Sequence, residues 1–192
     1  ANVILDKIIT QNFPVTVEIT GVPSAGFEIY ESIASPGVVE LQGPSELVSS
    51  IGKVVALVDV GGANDDLMVI RQLSFYNTNS NIVSSKYLTA TPEKTEIRCE
   101  VLQRKVVTVN PVFTDANSGF TAAVIPGNGV TILGKPDLLS QINVIDTKPI
   151  KASTAVKNTK IIVPLDLPEG IVAFENLTEV TVEIREKTEE AQ

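Results

Sequence analysis

A nine-residue segment occurs twice in this chain, and that repetition constrains the fold more than any other feature. Gly43–Ile51 (GPSELVSSI) aligns without a gap with Gly134–Ile142 (GKPDLLSQI). Two further pairs of segments match in the same order: Ser24–Phe27 with Asn117–Phe120, and Thr95–Val101 with Thr178–Ile184. Matches in a conserved order indicate two copies of one folding unit.

The matched segments set the expected boundaries of the two copies. We place the first domain at residues 10–103 and the second at residues 104–187. Residues 1–9 then form the end strand of a preceding unit or a linker, and residues 188–192 form a charged tail. We therefore expect the chain to be a fragment of a longer tandem array, with further units in the full-length protein.

The apolar residues of each copy favour strands. Valine and isoleucine outnumber leucine plus alanine by 45 to 27, and residues branched at Cβ pack well on a pleated sheet. Val15, Val17 and Ile19 alternate with polar residues, as in a half-buried strand. The predicted fold class is mainly β, a β-rich α+β arrangement.

One short helix is predicted in each copy, within the repeated segment. Leu47 and Ile51 are four residues apart, as are Leu138 and Ile142, so each pair would share a helical face. Only one or two helical turns fit before the next strand. We expect each apolar pair to close one end of a small β core.

Charge and composition exclude several classes of function. The formal net charge is −8, with no long basic run, which argues against nucleic-acid binding and against direct adsorption to anionic lipid. The absence of histidine removes the commonest general base and the commonest metal ligand. We predict a protein that is not an enzyme and has no cofactor or metal.

The remaining residues with chemical potential have simpler interpretations. Cys99 alternates with Ile97 and Val101, which indicates a buried strand residue and not a reactive thiol. The candidate catalytic carboxylates are those of Asp65, Asp66, Asp146 and Asp166. Gly61-Gly62 is a candidate phosphate-binding turn, and Asn176-Leu177-Thr178 fits the glycosylation triplet. We interpret the carboxylates as solvated loop residues and assign no catalytic, cofactor-binding or metal residue.

The repeated unit resembles the YbbR domain family of bacterial proteins. In copy one the resemblance is carried by Phe13–Val17, Gly26-Phe27, Val39–Pro44 with Leu47 and Ile51, Val55–Gly61, and Pro92 before Thr95–Val101. In copy two it is carried by Gly119-Phe120, Val130–Gly134, Ile142–Ile150 and Val180–Ile184. Copy two has Asn110-Pro111-Val112 where copy one has Phe13-Pro14-Val15. The motifs are turn glycines and apolar alternation, so their shared order is what makes the resemblance specific.

This resemblance implies two tandem, elongated YbbR-like domains, each with one short helix. Members of the family typically carry an N-terminal transmembrane helix and lie on the outer face of the bacterial cell membrane, so we expect such a helix to precede these residues in the full-length protein. Relatives in Gram-positive bacteria partner a membrane diadenylate cyclase and modulate the synthesis of cyclic di-AMP. The family has no known catalytic residues, so the expected function is a regulatory, extracytoplasmic protein-interaction module.

An alternative function remains open at this point. Tandem units form extended arrays, which suit a spacer or a module that binds the cell wall or another surface protein. Neither function identifies the partner-binding residues. Exposed strand edges also make pairing between copies possible.

Overall fold

A computed structural model describes residues 6–114, 120–127, 129–151 and 159–186. The chain divides into two compact units, residues 1–101 and 102–192. Both consist mainly of strands, and the described residues contain two short α-helices. The prediction of a mainly β fold is confirmed.

Unit 1 is built from two sheets around one core. Its elements are β1 (Ile8–Thr20), β2 (Phe27–Ser35), β3 (Val38–Pro44), α1 (Ser45–Ser50), β4 (Ile51–Asp59), β5 (Leu67–Gln72), β6 (Ser74–Asn77), β7 (Ile82–Val83), β8 (Thr89–Thr91) and the first part of β9 (Lys94–Asn110). The larger sheet has the order β7-β6-β4-β1-β3-β8, and in the smaller one β9 pairs with β2 and β5. Leu41 and Val54 of the larger sheet and Ile97 of the smaller one belong to one buried cluster, so the core lies between the sheets.

Unit 2 repeats this pattern of pairing. It comprises the remainder of β9, then β10 (Phe120–Ile125), β11 (Val130–Gly134), α2 (Pro136–Gln141), β12 (Val144–Asp146), β13 (Lys160–Pro164), β14 (Val172–Ala173) and β15 (Glu179–Glu186), with a 3-10 turn at Phe174–Asn176. One sheet has the order β12-β9-β11-β14 and the other has the order β10-β15-β13. In each unit the first strand pairs antiparallel with the strand before the helix and parallel with the strand after it.

The pairing register corrects one part of the alignment of the two copies. Phe13 lies opposite Val39 in unit 1, and Val107 lies opposite Val130 in unit 2. Because Val39 and Val130 are equivalent in the repeat, Val107 takes the place of Phe13, and both side chains are buried. The match of Asn110-Pro111-Val112 with Phe13-Pro14-Val15 was therefore displaced by three residues.

Each helix closes one end of its core, but with a different residue from the one predicted. Val48 and Leu139 are buried, whereas Leu138 is exposed. Ile51 and Ile142 follow the helices in extended conformation, so the four-residue spacing of a helical face does not reach them. The predicted pairs Leu47/Ile51 and Leu138/Ile142 therefore do not form helical faces, although Ile51 is buried as the first residue of β4.

In unit 1, a hairpin of β6 and β7 extends the larger sheet. β6 pairs with β4 and β7 pairs with β6. The polar segment at Asn77–Asn81 is the turn of this hairpin, in which the Asn77 carboxamide oxygen accepts hydrogen bonds from the amides of Asn79 and Asn81, both at 3.0 Å. In unit 2 only residues 165–171, all described, separate β13 from β14.

The ends of the predicted domains lie partly outside the described residues. Residues 1–5, the matched Asn117-Ser118-Gly119 and the predicted charged tail 188–192 belong to that undescribed part. Ile8 and Ile9, assigned above to a preceding unit or linker, pair with Pro44 and Gly43 of β3. The sheet of unit 1 therefore begins at residue 8.

Candidate functional site

Cys99 lies in the interior of unit 1, on β9. Its side chain is 0% exposed, and the Ser32 hydroxyl donates a long hydrogen bond of 3.4 Å to its sulfur. Cys99 pairs with Leu67 of β5, and the equivalent position in unit 2 is the buried Val182. The prediction that Cys99 is a buried strand residue is confirmed.

Asp65 and Asp66 act as hydrogen-bond acceptors in the turn before β5. The Asp66 carboxylate accepts the amide hydrogen of Val101 at 2.8 Å, and that of Asp65 accepts the amide hydrogen of Asp66 at 2.8 Å. Both residues are exposed. An exposed carboxylate that is already bound to the backbone fits the predicted role of a loop residue.

The Gly61-Gly62 turn is occupied by the protein itself. The Gly61 amide donates to Asp59 Oδ1 at 2.9 Å, and the Gly62 amide donates to the carbonyl of Val22 at 2.9 Å. The Ser24 hydroxyl donates to the carbonyl of Gly62 at 2.7 Å. Since these amides are engaged, the turn does not present the free N–H groups that a phosphate-binding loop needs.

Asp146 and Asp166 are distant in sequence, but the structure brings them together. The backbone amide of Asp166 donates to the carbonyl of Asp146 at 2.8 Å. The Asn110 carboxamide donates to the Asp146 carboxylate at 2.8 Å, and Lys148 forms an exposed ion pair with Asp166. Each carboxylate thus has its own neighbour, as expected of a surface network and not of a hydrolytic pair.

The Asn176-Leu177-Thr178 triplet lies on an exposed turn. Asn176 has a φ of 57°, and its carbonyl accepts the amide hydrogen of Thr178 at 2.8 Å. Within residues 6–114, 120–127, 129–151 and 159–186, no three His, Cys, Asp or Glu side chains are grouped so that they could hold a metal ion. No helix in those ranges has the length and apolar character needed to cross a membrane.

The outer face of the smaller sheet in unit 2 carries exposed apolar side chains that no pattern had singled out. Ile125 of β10, Thr181 of β15 and Ile162 of β13 lie in register across the three strands. Ile162 is 70% exposed and Leu177 is 46% exposed beside it, and all four residues line a shallow groove. We call these four residues the unit 2 groove.

Charged side chains lie on the same strands as the groove. The hydrogen bond and the charge of Arg185 hold the pKa of Glu183 below its ordinary value, and Lys160 adds a smaller effect in the same direction.

Ile162 is flanked by Ile161 and Val163, so this run is apolar on both faces of β13. A strand that is apolar on both faces in a two-sheet unit must leave one apolar face exposed, and that was the sequence signal for the groove.

A family model supports the assignment of unit 1. The model described as YbbR-like protein matches residues 13–98. Residues 13–98 of unit 1 therefore form a YbbR-like domain. The second unit lies outside the matched residues, and it shares with this YbbR-like domain the pairing scheme described above. YbbR-like domains are not known to be catalytic.

Two solved structures are similar to this chain. A solution structure of SuR18C from Streptococcus thermophilus is 19% identical, with a TM-score of 0.41, and the match covers 53% of this chain and 91% of that one. A crystal structure of a YbbR-like protein from Streptococcus pneumoniae TIGR4 is 18% identical, with a TM-score of 0.40, and the match covers 98% of this chain and 100% of that one. No curated protein matches the chain.

Proposed function

We propose that this chain is a non-catalytic protein-interaction module on the outer face of the bacterial cell membrane, where it modulates a membrane diadenylate cyclase. A hydrophobic helix N-terminal to these residues would anchor it. The match of residues 13–98 to the YbbR-like family model supports this proposal.

The unit 2 groove is the surface that we assign to the partner. It combines exposed Ile125, Ile162 and Leu177 with a polar margin that includes Thr181 and Glu179. An apolar centre with a polar rim is the usual composition of a surface that binds another protein. The exposure of Ile162, at 70%, is the observation that carries this assignment.

Co-expression with a diadenylate cyclase tests the function directly. A full-length version with its membrane anchor should co-purify with the cyclase and change the cellular level of cyclic di-AMP. Ile162→Lys should abolish both effects, because it places a charge in the apolar groove. Ile70→Lys on β5 of unit 1 is the matched control, since Ile70 is also exposed (64%), and it should retain both effects.

The proposal fails if the full-length protein neither binds the cyclase nor alters cyclic di-AMP. A pull-down on purified peptidoglycan separates the alternative function of a cell-wall-binding or spacer module. Retention on peptidoglycan without any effect on the cyclase would favour that alternative. Membrane fractionation of the full-length protein tests the proposed location.

A further inference from the structure

The unit 2 groove has a row of uncharged side chains at its centre and charged side chains on both flanks. Thr181 of β15 lies in the middle of the row, between Ile125 and Ile162. Alternate residues of a strand point to the same face, and the residues of β15 on either side of Thr181 are buried. Glu179 and Glu183 therefore flank the row on the exposed face of the sheet. The two flanks differ in the charge that they carry.

The flank at Glu183 carries a net positive charge. Lys160 of β13 lies directly opposite Glu183, and Arg185 Nε donates to Glu183 Oε2 at 3.0 Å. The hydrogen bond and the charge of Arg185, followed by the charge of Lys160, lower the pKa of Glu183, so both cations act on this one carboxylate. Two cations beside one anion leave one positive charge in excess.

The flank at Glu179 carries an uncompensated negative charge. Glu179 is exposed, and it is the one charged side chain among the described residues that line the groove. Its carboxylate has no ion pair or hydrogen bond with any residue that the structure describes. Its neighbour across the strand pair is the uncharged Pro164. Lys148, whose amide donates to the carbonyl of Pro164, has its ammonium on Asp166 and so does not neutralise Glu179.

We propose that the groove binds a segment of the partner in which an aliphatic side chain separates a basic residue from an acidic one. The basic side chain lies on Glu179, the aliphatic one on the central row, and the acidic one on Lys160 and Arg185. Opposite charges at matched positions fix the orientation of a bound segment and exclude segments of the wrong charge. This inference rests on the groove as the partner surface, as proposed above, and adds the chemistry of the partner.

The distance between the flanks sets the spacing of the partner's charges. Glu179 and Glu183 are four residues apart on β15, which corresponds to about 13 Å at ~3.3 Å per residue. An extended segment covers the same distance in five residues, of which the first, third and fifth face the groove. The basic and acidic residues of the partner are therefore four positions apart, with the aliphatic residue midway, in either order along its chain.

An NMR titration of the isotope-labelled 192-residue chain with three capped pentapeptides tests this charge pattern. All three have serine, isoleucine and serine at their centre, and their two ends are one lysine and one glutamate, two lysines, or two glutamates. A salt concentration of about 0.1 M limits charge effects to ~10 Å, so that the net charge of −8 does not favour the two-lysine peptide.

The mixed peptide should shift the amide signals of Ile125, Ile162 and Thr181. It should bind at least about threefold more tightly than either like-charged peptide, because each of those meets repulsion at one flank. Absence of these shifts at up to about 10 mM of the mixed peptide, or equal affinities for all three peptides, overturns the proposal.

Glu179→Lys should reverse the preference, an outcome that a purely structural role would not give. The side chain is exposed and has no partner among the described residues, so the variant should fold. Both flanks are then positive, and the two-glutamate peptide should bind most tightly. Glu96→Lys is the matched control, because Glu96 has the equivalent position in the repeat of unit 1, and it should keep the wild-type order. An unchanged order in Glu179→Lys, or the same reversal in Glu96→Lys, overturns the proposal.

The co-expression experiment distinguishes this inference from the proposed function. A chain that shows the expected peptide order but does not bind the cyclase supports the inference and refutes the cyclase as the partner. A chain that binds the cyclase through Ile162 but has equal affinities for the three peptides overturns the inference alone.

Discussion

Leu138 and Leu139 provide a direct test of how the short helix of unit 2 closes the core. They are adjacent in α2 and identical in chemistry, but Leu139 is 1% exposed and Leu138 is 41% exposed. Leu→Ala removes three carbons, worth about 2.4 kcal/mol when fully buried at ~0.8 kcal/mol per CH₂. The cavity left at residue 139 raises the expected loss for Leu139→Ala to about 3–4 kcal/mol.

The same arithmetic gives a smaller effect at the exposed position. The buried fraction of Leu138 scales the transfer loss to at most about 1.4 kcal/mol, and no closed cavity forms. Urea unfolding followed by far-UV circular dichroism measures both variants. With a urea m-value of about 1–3 kcal/mol/M, we expect the unit 2 midpoint to fall by roughly 1–4 M for Leu139→Ala and by at most about 0.5–1.4 M for Leu138→Ala.

Unit 1 supplies a matched control for this experiment. Val48 is the buried residue at the corresponding place in α1, and Leu47 precedes it. All three tyrosines of the chain, Tyr30, Tyr76 and Tyr87, lie in unit 1, so tyrosine fluorescence reports its unfolding separately. If Leu138→Ala destabilises as much as Leu139→Ala, the four-residue face predicted from sequence is the correct description and the assignment from the structure is refuted.

Four further predictions follow from contacts in the structure. Lys105→Met should cost about 1 kcal/mol in urea unfolding, since the lysine ammonium donates to the C-terminal end of α2 at 2.7 Å. The Ser45 hydroxyl, together with backbone amides, lowers the pKa of Asp6 below its unfolded value of 3.8. The stabilisation from this carboxylate is therefore present above pH 3.8 and is lost as the pH falls through the lowered folded pKa. Ser45→Ala should raise the Asp6 pKa in a carboxyl NMR titration. Gly129→Ala should cost at least about 1–3 kcal/mol by thermal unfolding, because its φ is 93° and a Cβ there would meet a backbone carbonyl oxygen. Cys99→Val should change stability by less than about 1.5 kcal/mol, and the native thiol should resist a thiol reagent until the chain unfolds.

The sequence repeat alone predicted the position of most of the strands that the two units share. The match of Thr95–Val101 with Thr178–Ile184 holds in the structure, where Ile97 and Val180 occupy equivalent buried positions in β9 and β15. The burial of Cys99 followed from its alternation with apolar neighbours. These predictions succeeded because each strand has a buried face of period two, which the sequence displays directly.

The errors arose where a short element changes its conformation. Ile51 and Ile142 lie just beyond their helices, so a helical period carried past its last turn selected Leu47 and Leu138. The match of Asn110-Pro111-Val112 with Phe13-Pro14-Val15 followed the proline and missed the register that pairs Val107 with Val130. Local similarity could not decide either case, because pairing across strands fixes both.

The sequence alone determined that two β units follow one another, since periodicity and repetition are properties of the chain. Tertiary structure decided which side chains become neighbours: Asp146 with Asp166, and Ile125 with Ile162 across β15. It also decided which of the described strands lie at the edges of the sheets. These features depend on the register and order of strands that are distant in sequence, and on which face of each strand the second sheet covers.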